Sequence, residues 1–370
     1  MPSYEDLEAQ IIDSGICTVC GACILACPNS HIKFIDGKPK RPKRTLDCVG
    51  CSTCYDACYM LRRGLIQDIE ARILGWGEKR SIGIYKRLLA ARTKEQSIEK
   101  ACQDGGIVTS LLIYALNENL IDGALVVGRD GWMPITFIAK TKGEIISSAM
   151  TKYGITPILK ELRAAVVDHG LSKICVVGSP CHIQSIRYLQ HTGLPLASAI
   201  KLTIGLFCRE NYEYHCMQGK MRERGLNIEE IDKFDVSEEF NVYASGKKLS
   251  FPITEVKSCV PKHCLICEDF ASELADISIG SDGSPEGWST VIVRTEEGEK
   301  VFSQFETSKV IETKPIHNLD YLTEIADRKR EKGKQTRDIF SLREEGLEKK
   351  DIAVRLGITE ERISHRLAGI

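Results

Sequence analysis

The chain has 370 residues, 43% of them hydrophobic, with 50 basic and 51 acidic side chains. It is long enough for two or three domains and for a core that folds without covalent staples. A formal charge near zero gives no electrostatic case for a general nucleic-acid or membrane-surface binder, and no apolar run approaches the roughly 20 residues that cross a bilayer.

The amino terminus, MPSYEDLEAQ, is polar and acidic and lacks the charged and apolar regions of a secretory signal. A cytoplasmic chain is therefore expected. The 16 cysteines then read as metal ligands or redox groups in preference to structural disulfides. Residues 17 to 28 are CTVCGACILACP and residues 48 to 58 are CVGCSTCYDAC, so C-x2-C-x2-C-x3-C occurs twice. Two intervening residues make a tight turn that aims successive thiolates at one centre, and three such thiolates wrap three corners of a 4Fe-4S cube. In two-cluster ferredoxins the fourth cysteine of each run goes to the other cluster. One cluster is thus assigned Cys17, Cys20, Cys23 and Cys58, the other Cys48, Cys51, Cys54 and Cys27.

This segment resembles the bacterial two-cluster ferredoxin over about residues 14 to 62, including Pro28 after the first run. Tyr59 stands where the family usually has proline, a departure expected to loosen the turn after Cys58 without removing a ligand. The intervening IKFIDGKPKRPKR fits a hairpin followed by a basic, solvated loop.

From about Ile82 to Ile325 strands alternate with helical stretches, the pattern of an α/β domain. The expected strands are IGIYKRLLAAR, DGALVVG, SKICVVG, IKLTIGLF and STVIVRT; the expected helices are QDGGIVTSLLIYALNEN, ITPILKELRAAVVDHG and CHIQSIRYLQ. Cys181 follows ICVVGSP, Cys208 follows LTIGLF, and Cys264 and Cys267 form HCLIC. Cysteines leaving the carboxyl ends of strands to meet a C-x2-C loop suit a third cluster, in the crevice where open α/β sheets bind ligands. Cys259 is a fifth candidate able to replace one of them, and Cys102, Cys175 and Cys216 read as ordinary buried thiols. Gln103, Asp104, Gly105 and Gly106 open an apolar helix whose free N–H groups and dipole suit phosphate. The stretch GSDGSPEGWS, with Gly280, Ser281, Gly283, Ser284, Gly287 and Trp288, offers a second backbone surface. Neither is a G-x-G-x-x-G fingerprint, which disfavours ordinary nicotinamide binding.

The runs KACQDGGIVTSLLIYAL, Thr151-Lys152-Tyr153, GSPCHIQSIR, GLFCREN, HCLICEDFASELADISIGSDGSPEGWSTVIVRT and ETKPI resemble, in order, the beta subunit family of coenzyme F420-reducing hydrogenase. The resemblance covers roughly residues 84 to 325. It implies an α/β flavoprotein with one 4Fe-4S cluster on Cys181, Cys208, Cys264 and Cys267, an FAD, and a site for the deazaflavin substrate beside the flavin. It makes the QDGG turn, Lys152, Tyr153 and the GSDGSPEGW loop the candidates for that pocket. An amino-terminal ferredoxin module in this order resembles the input subunit of the coenzyme F420H2 dehydrogenase complex.

Residues 338 to 370 fit three short helices resembling a helix-turn-helix, with Arg362, His365 and Arg366 on the candidate recognition helix. Glu360 and Glu361 dilute the positive charge that phosphate contacts need, so nucleic acid is not the expected partner. The preceding DRKREKGKQTR reads as a solvated linker.

The expectation is an α+β ferredoxin-like module (1–65), an α/β flavoprotein domain (82–325) and a charged linker with a helical tail (326–370). Three 4Fe-4S clusters, FAD and coenzyme F420 as substrate follow, with other electron-transfer subunits of a larger redox complex as partners. The alternatives are a non-catalytic electron conduit and a DNA-binding redox sensor.

Overall fold

The structure, a computed structural model, describes residues 1–43, 45–75, 81–236 and 239–367. Near the amino terminus lie α1 (Ala22–Ala26), the antiparallel pair β1 (Lys33–Ile35) and β2 (Lys38–Lys40), α2 (Thr53–Asp56) and α3 (Ile66–Leu74). The hairpin is the expected one. Its turn residues Asp36 and Gly37 both have positive φ, the backbone that matches the twist of two short strands.

In the middle of the chain follow β3 (Arg87–Thr93), α4 (Ile107–Asn117), β4 (Gly123–Asp130), β5 (Met133–Ala139), α5 (Lys142–Ser147), β6 (Ile174–Gly178), α6 (Pro180–His191), β7 (Ile200–Leu206) and α7 (Tyr214–Glu223). Then come β8 (Ile231–Val236), β9 (Glu239–Ala244), β10 (Lys247–Pro252), α8 (Lys262–Leu265), β11 (Ile277–Gly280), β12 (Ser289–Val293), α9 (Glu296–Thr307) and β13 (Ile311–Lys314). Eight strands form one mixed sheet in the order β13-β3-β12-β11-β7-β6-β4-β5. Its middle, β11-β7-β6-β4, is parallel, and antiparallel strands flank it on both sides. All five residues of β6 are buried, as a parallel strand covered on both faces requires. Strands β8 to β10 form a separate antiparallel sheet that the sequence patterning missed. The stretch expected as a helix over 155–170 is helical over 158–168 but irregular, a 3-10 turn at Ile158–Glu161 running on into a widened π turn at Ala164–Asp168.

One face of the large sheet packs on α4 and α9 through Leu111, Leu112, Phe302 and Phe305. The other packs on α6, and the same core takes in Ala22, Leu25 and Ala26 of α1, Ala57, Tyr59, and Ile69 of α3. The amino-terminal segment is therefore built into the central domain rather than tethered to it. Tyr59, 2% exposed, begins the turn Tyr59–Leu65 inside this shared core. The turn after Cys58 is packed, not loosened.

The carboxyl-terminal region differs most from expectation. Residues read as a solvated linker lie inside α10 (Leu319–Glu344), a 26-residue helix capped by the Asn318 side chain, which accepts from Tyr321 N–H. It continues into α11 (Lys349–Leu356) and α12 (Glu360–Leu367) around a small core of Ile339, Leu342, Ile352 and Ile363. The charge density hid a helix whose inner face, Leu322, Ile325, Ala326, Ile339 and Leu342, is apolar except at Lys329 and Thr336. Among the described residues no helix is long and apolar enough to cross a membrane.

Because the two regions share one core, Leu25→Ala is expected to lower the denaturant midpoint reported by tryptophan fluorescence from the central domain, by a loss of about 2–5 kcal/mol. A fluorescence midpoint unchanged by that substitution would show that the segment unfolds on its own.

Candidate functional site

Each cysteine run is built on a loop that enters a short helix. Val19, a β-branched residue between Cys17 and Cys20, has φ of 53°, a strained backbone of the kind retained where a site demands it. Its N–H points at Cys17 Sγ, 3.4 Å away, and His31 N–H at Cys27 Sγ, 3.3 Å away. Such donors stabilise charge on sulfur.

Cys17, Cys20, Cys23 and Cys58 are brought together. Burial pushes the Cys17 thiol up to about 12, and Cys20 adds to it. Burial likewise takes Cys58 to about 12, Cys20 adding to it, the backbone at Met60 opposing, and Cys17 adding again. Cys23 is raised by burial and then by Cys17, Cys20 and Cys58. For Cys54, raised by burial to about 11, the strongest neighbour is Cys27, ahead of Cys51. The fourth cysteine of each run thus lies with the opposite run, because α1 and α2 pack side by side. Cys48 joins the second group through the turn in which Cys51 N–H donates to its carbonyl.

The third group forms at the carboxyl ends of the neighbouring parallel strands β6 and β7. Cys181 is the second residue of α6, which Pro180 opens, and Cys208 lies two residues beyond β7. Cys264 and Cys267 come from the end of α8, where Cys267 N–H donates to the Cys264 carbonyl. Burial raises Cys181, and Cys267 and Cys208 raise it further. Cys264 is raised by burial, then by Cys208 and Cys181. Among the described residues no trio of Cys, His, Asp or Glu closes tightly enough for a single metal ion. A cubane spreads its thiolates more widely, one to each iron.

Two buried imidazoles flank this group. His182 Nε2 and His263 Nδ1 have no partner among the described residues. Burial depresses His182 to about 4 and, together with His182 and Lys329, depresses His263 to about 3. Buried polar atoms without protein partners are what a sulfide-bearing group beside them would satisfy. The cysteines and these orphaned atoms fit such a group. Adjacency to Cys181 and Cys264 is the signal that the sequence holds for these two histidines.

The first and third groups meet. Ser185 Oγ of α6 donates to Cys20 Sγ at 3.3 Å, and Leu159 N–H donates to the Cys20 carbonyl. Cys20 and Cys181 both pack against the shared core. Cys259 does not compete as a ligand, because it forms a disulfide with Cys216. Cys216 is accordingly not the free buried thiol expected; Cys102 is half-buried, its Sγ donating to the Asp104 carbonyl, and Cys175 is fully buried in β6.

The glycine-rich candidates also converge, on the far side of the sheet end. Gln103 Oε1 accepts from Thr151 N–H at 3.2 Å, and the Gln103 side chain also bonds the Tyr153 hydroxyl. Burial takes Tyr153 up to about 12. Asp104 is raised by burial, Lys233 opposing and Asp235, Asp282 and Glu286 adding to it. Gly105 serves the sheet: a Cβ there would lie 2.5 Å from the Ala91 carbonyl and Ser289 N–H nitrogen. Gly106, with φ of 70°, begins α4 and leaves its first N–H groups without a side-chain cap. A Cβ at Gly280 would overlap the Phe207 ring. Ser281, Gly283 and Ser284 line a cleft of about 250 Å³ with Asn318 and Tyr321. Trp288 lies between Arg92 (4.7 Å) and Lys314 (3.7 Å), and Gly287, with φ of 74°, turns the chain into it.

Lys152 is neither a surface lysine nor free for phosphate. Its ammonium donates to the carbonyls of Ser148, Ala149 and Met150 at the end of α5. Burial and Arg129 push it down to about 7. In the tail, Arg362 bonds Gln335 and Glu331 of α10, and Arg366 reaches Gln335. Both cations of the candidate recognition helix are engaged by α10, Arg362 while still exposed; the His365 side chain lies outside the described residues.

The helix α10 closes the third group. A Cβ on Gly333 would overlap the Cys267 carbonyl. Ion pairs Arg330–Glu273 (2.6 Å), Lys332–Glu210 (3.3 Å) and Arg337–Glu268 fasten the helix around the cysteine loops.

Residues 88–163 match the family model for the coenzyme F420 hydrogenase/dehydrogenase beta subunit N-terminal region, and residues 171–318 match that for its C terminus. Residues 9–59 match a 4Fe-4S dicluster domain. The coenzyme F420 hydrogenase subunit beta of Methanothermobacter thermautotrophicus is 38% identical over 277 residues, covering 72% of this chain and 98% of that protein. The coenzyme F420-dependent sulfite reductase of Methanocaldococcus jannaschii is 34% identical over 336 residues, covering 86% of this chain; the chain spans only 50% of that protein. A chain of the F420-reducing NiFe hydrogenase complex from Methanosarcina barkeri superposes with a TM-score of 0.68 at 34% identity, over 70% of this chain and 94% of that one.

Alanine in place of a mid-helix glycine ordinarily stabilises by up to about 1 kcal/mol. Gly333→Ala is expected to destabilise instead, by about 1–3 kcal/mol, since α10 must lift from Cys267. A denaturant midpoint at or above that of the unchanged protein would refute the close approach.

Proposed function

The chain belongs to the coenzyme F420 hydrogenase/dehydrogenase beta subunit family and is a coenzyme F420-dependent oxidoreductase, and from that premise we propose that it exchanges hydride between the deazaflavin and FAD and passes electrons singly through three 4Fe-4S clusters. FAD would supply a ring that takes a hydride and releases electrons one at a time, as one-electron iron-sulfur carriers require.

The observation that carries the reading is the contact between cysteine groups. Ser185 and the shared core hold the Cys20 loop against the helix that carries Cys181. A conduit needs that proximity, and a tethered ferredoxin would not supply it. Cys17, Cys20, Cys23 and Cys58 would hold one cluster, Cys27, Cys48, Cys51 and Cys54 the second, and Cys181, Cys208, Cys264 and Cys267 the third.

For the flavin, the N–H groups at the start of α4 suit phosphate oxygens. Gln103 and Tyr153 offer neutral hydrogen bonds, and the carboxylates Asp104, Asp235 and Asp282 suit sugar hydroxyls better than phosphate. Lys152 holds the turn before Tyr153 by binding the end of α5. The arrangement of modules favours the dehydrogenase input subunit, working with other subunits of a redox complex. The pairing of Arg362 and Arg366 with α10 argues against a DNA-binding sensor.

Anaerobically purified chain is expected to show a flavin spectrum, about twelve iron atoms, and viologen reduction by reduced coenzyme F420 in preference to NADH or NADPH. Clusters without flavin or that activity would leave the non-catalytic conduit. Gln103→Ala is expected to weaken FAD retention about fivefold, the worth of one hydrogen bond, with iron content unchanged; equal retention would remove Gln103 from the pocket.

A further inference from the structure

We propose that Lys329 is the fixed positive charge of the third cysteine site and sets how readily that site accepts an electron. The inference rests on the reading that Cys181, Cys208, Cys264 and Cys267 hold a 4Fe-4S cluster.

Lys329 sits in the first half of α10 and is 9% exposed. Its ammonium donates to the Cys208 carbonyl. Cys267, Cys208, Cys264 and Asp269 are the titratable groups that face it. The neighbouring cations of the helix have other partners. Arg330, Lys332 and Arg337 meet Glu273, Glu210 and Glu268 around the rim, whereas Lys329 meets the sulfur-bearing residues.

The position is enforced. Gly333, one turn on, lets the helix backbone approach the Cys267 carbonyl, and the three ion pairs prevent α10 from rolling away. A lysine held this way cannot swing to water without moving the helix.

A cluster on four thiolates gains one negative charge on reduction. A nearby ammonium in a water-poor site favours the more negative state, so it raises the reduction potential. A purely structural lysine, anchoring α10 to the Cys208 carbonyl, would have no such effect. Glutamine separates the two roles, because it retains a donor and loses the charge.

The test is a redox titration of the full-length, anaerobically purified protein, with the third cluster followed by electron paramagnetic resonance and iron counted in parallel. Lys329→Gln is expected to lower the equilibrium constant for reducing that cluster at least tenfold, a fall of 59 mV or more for one electron. Lys329→Arg is expected to stay within threefold of the unchanged protein. An unshifted potential in Lys329→Gln with full iron overturns the proposal. If Lys329→Gln loses iron from this site, retention by Lys329→Arg supports the charge, and loss in both overturns it. Unchanged protein that binds only the iron of the amino-terminal module overturns both this inference and the reading beneath it, whereas a third cluster indifferent to Lys329 overturns the inference alone.

Discussion

Burial of clustered cysteines away from water is the constraint on which this architecture turns. Cys17, Cys23, Cys58, Cys181 and Cys264 all lie where burial raises their pKa and neighbouring thiols raise it further. Thiols so placed stay protonated unless positive charge enters among them. A packed protein tolerates that arrangement where iron supplies the charge. The backbone N–H groups aimed at Cys17 and Cys27 add donors to sulfur from the protein itself.

The second organising feature is continuity of packing. A two-cluster module could have been joined by a flexible tether, but Leu25, Tyr59 and Ile69 share a core with Ile183, Ile186 and Leu189 of α6. Helix α6 thereby serves two sites. Its amino-terminal end presents Cys181, and Ser185, one turn later, bonds Cys20. Rigid placement suits electron transfer between carriers, which needs fixed proximity and no large motion. Tyr59, in a proline's usual place, fills this junction.

The carboxyl-terminal helix completes the third site from outside the two regions that match the F420 hydrogenase/dehydrogenase beta subunit models, which end at residue 318. Its charges are distributed by position: an apolar stripe to the core, cations to rim carboxylates, and one lysine to the cysteines. The tail beyond it packs its arginines back on α10, so it reads as a helical cap.

Spacing alone determined much about this protein. The doubled C-x2-C-x2-C-x3-C run dictates that its first three cysteines group, because two-residue intervals force thiolates together, while the crossing of the fourth follows from the packing of α1 on α2. The hairpin at Asp36-Gly37 and the strands around ALVVG and ICVVG are likewise local matters of turn chemistry and apolar runs. The tertiary structure decided what depends on distant partners. The pairing of Cys259 with Cys216 crosses 43 residues, and no local pattern distinguishes it from ligation. Lys152 is diverted to α5 by the carbonyls it happens to meet. DRKREKGKQTR has the composition of a solvated linker, and only the carboxylates of Glu210, Glu268 and Glu273 turn its charges into a clamp. A side chain's charge is written in the sequence, but what that charge faces is settled by packing.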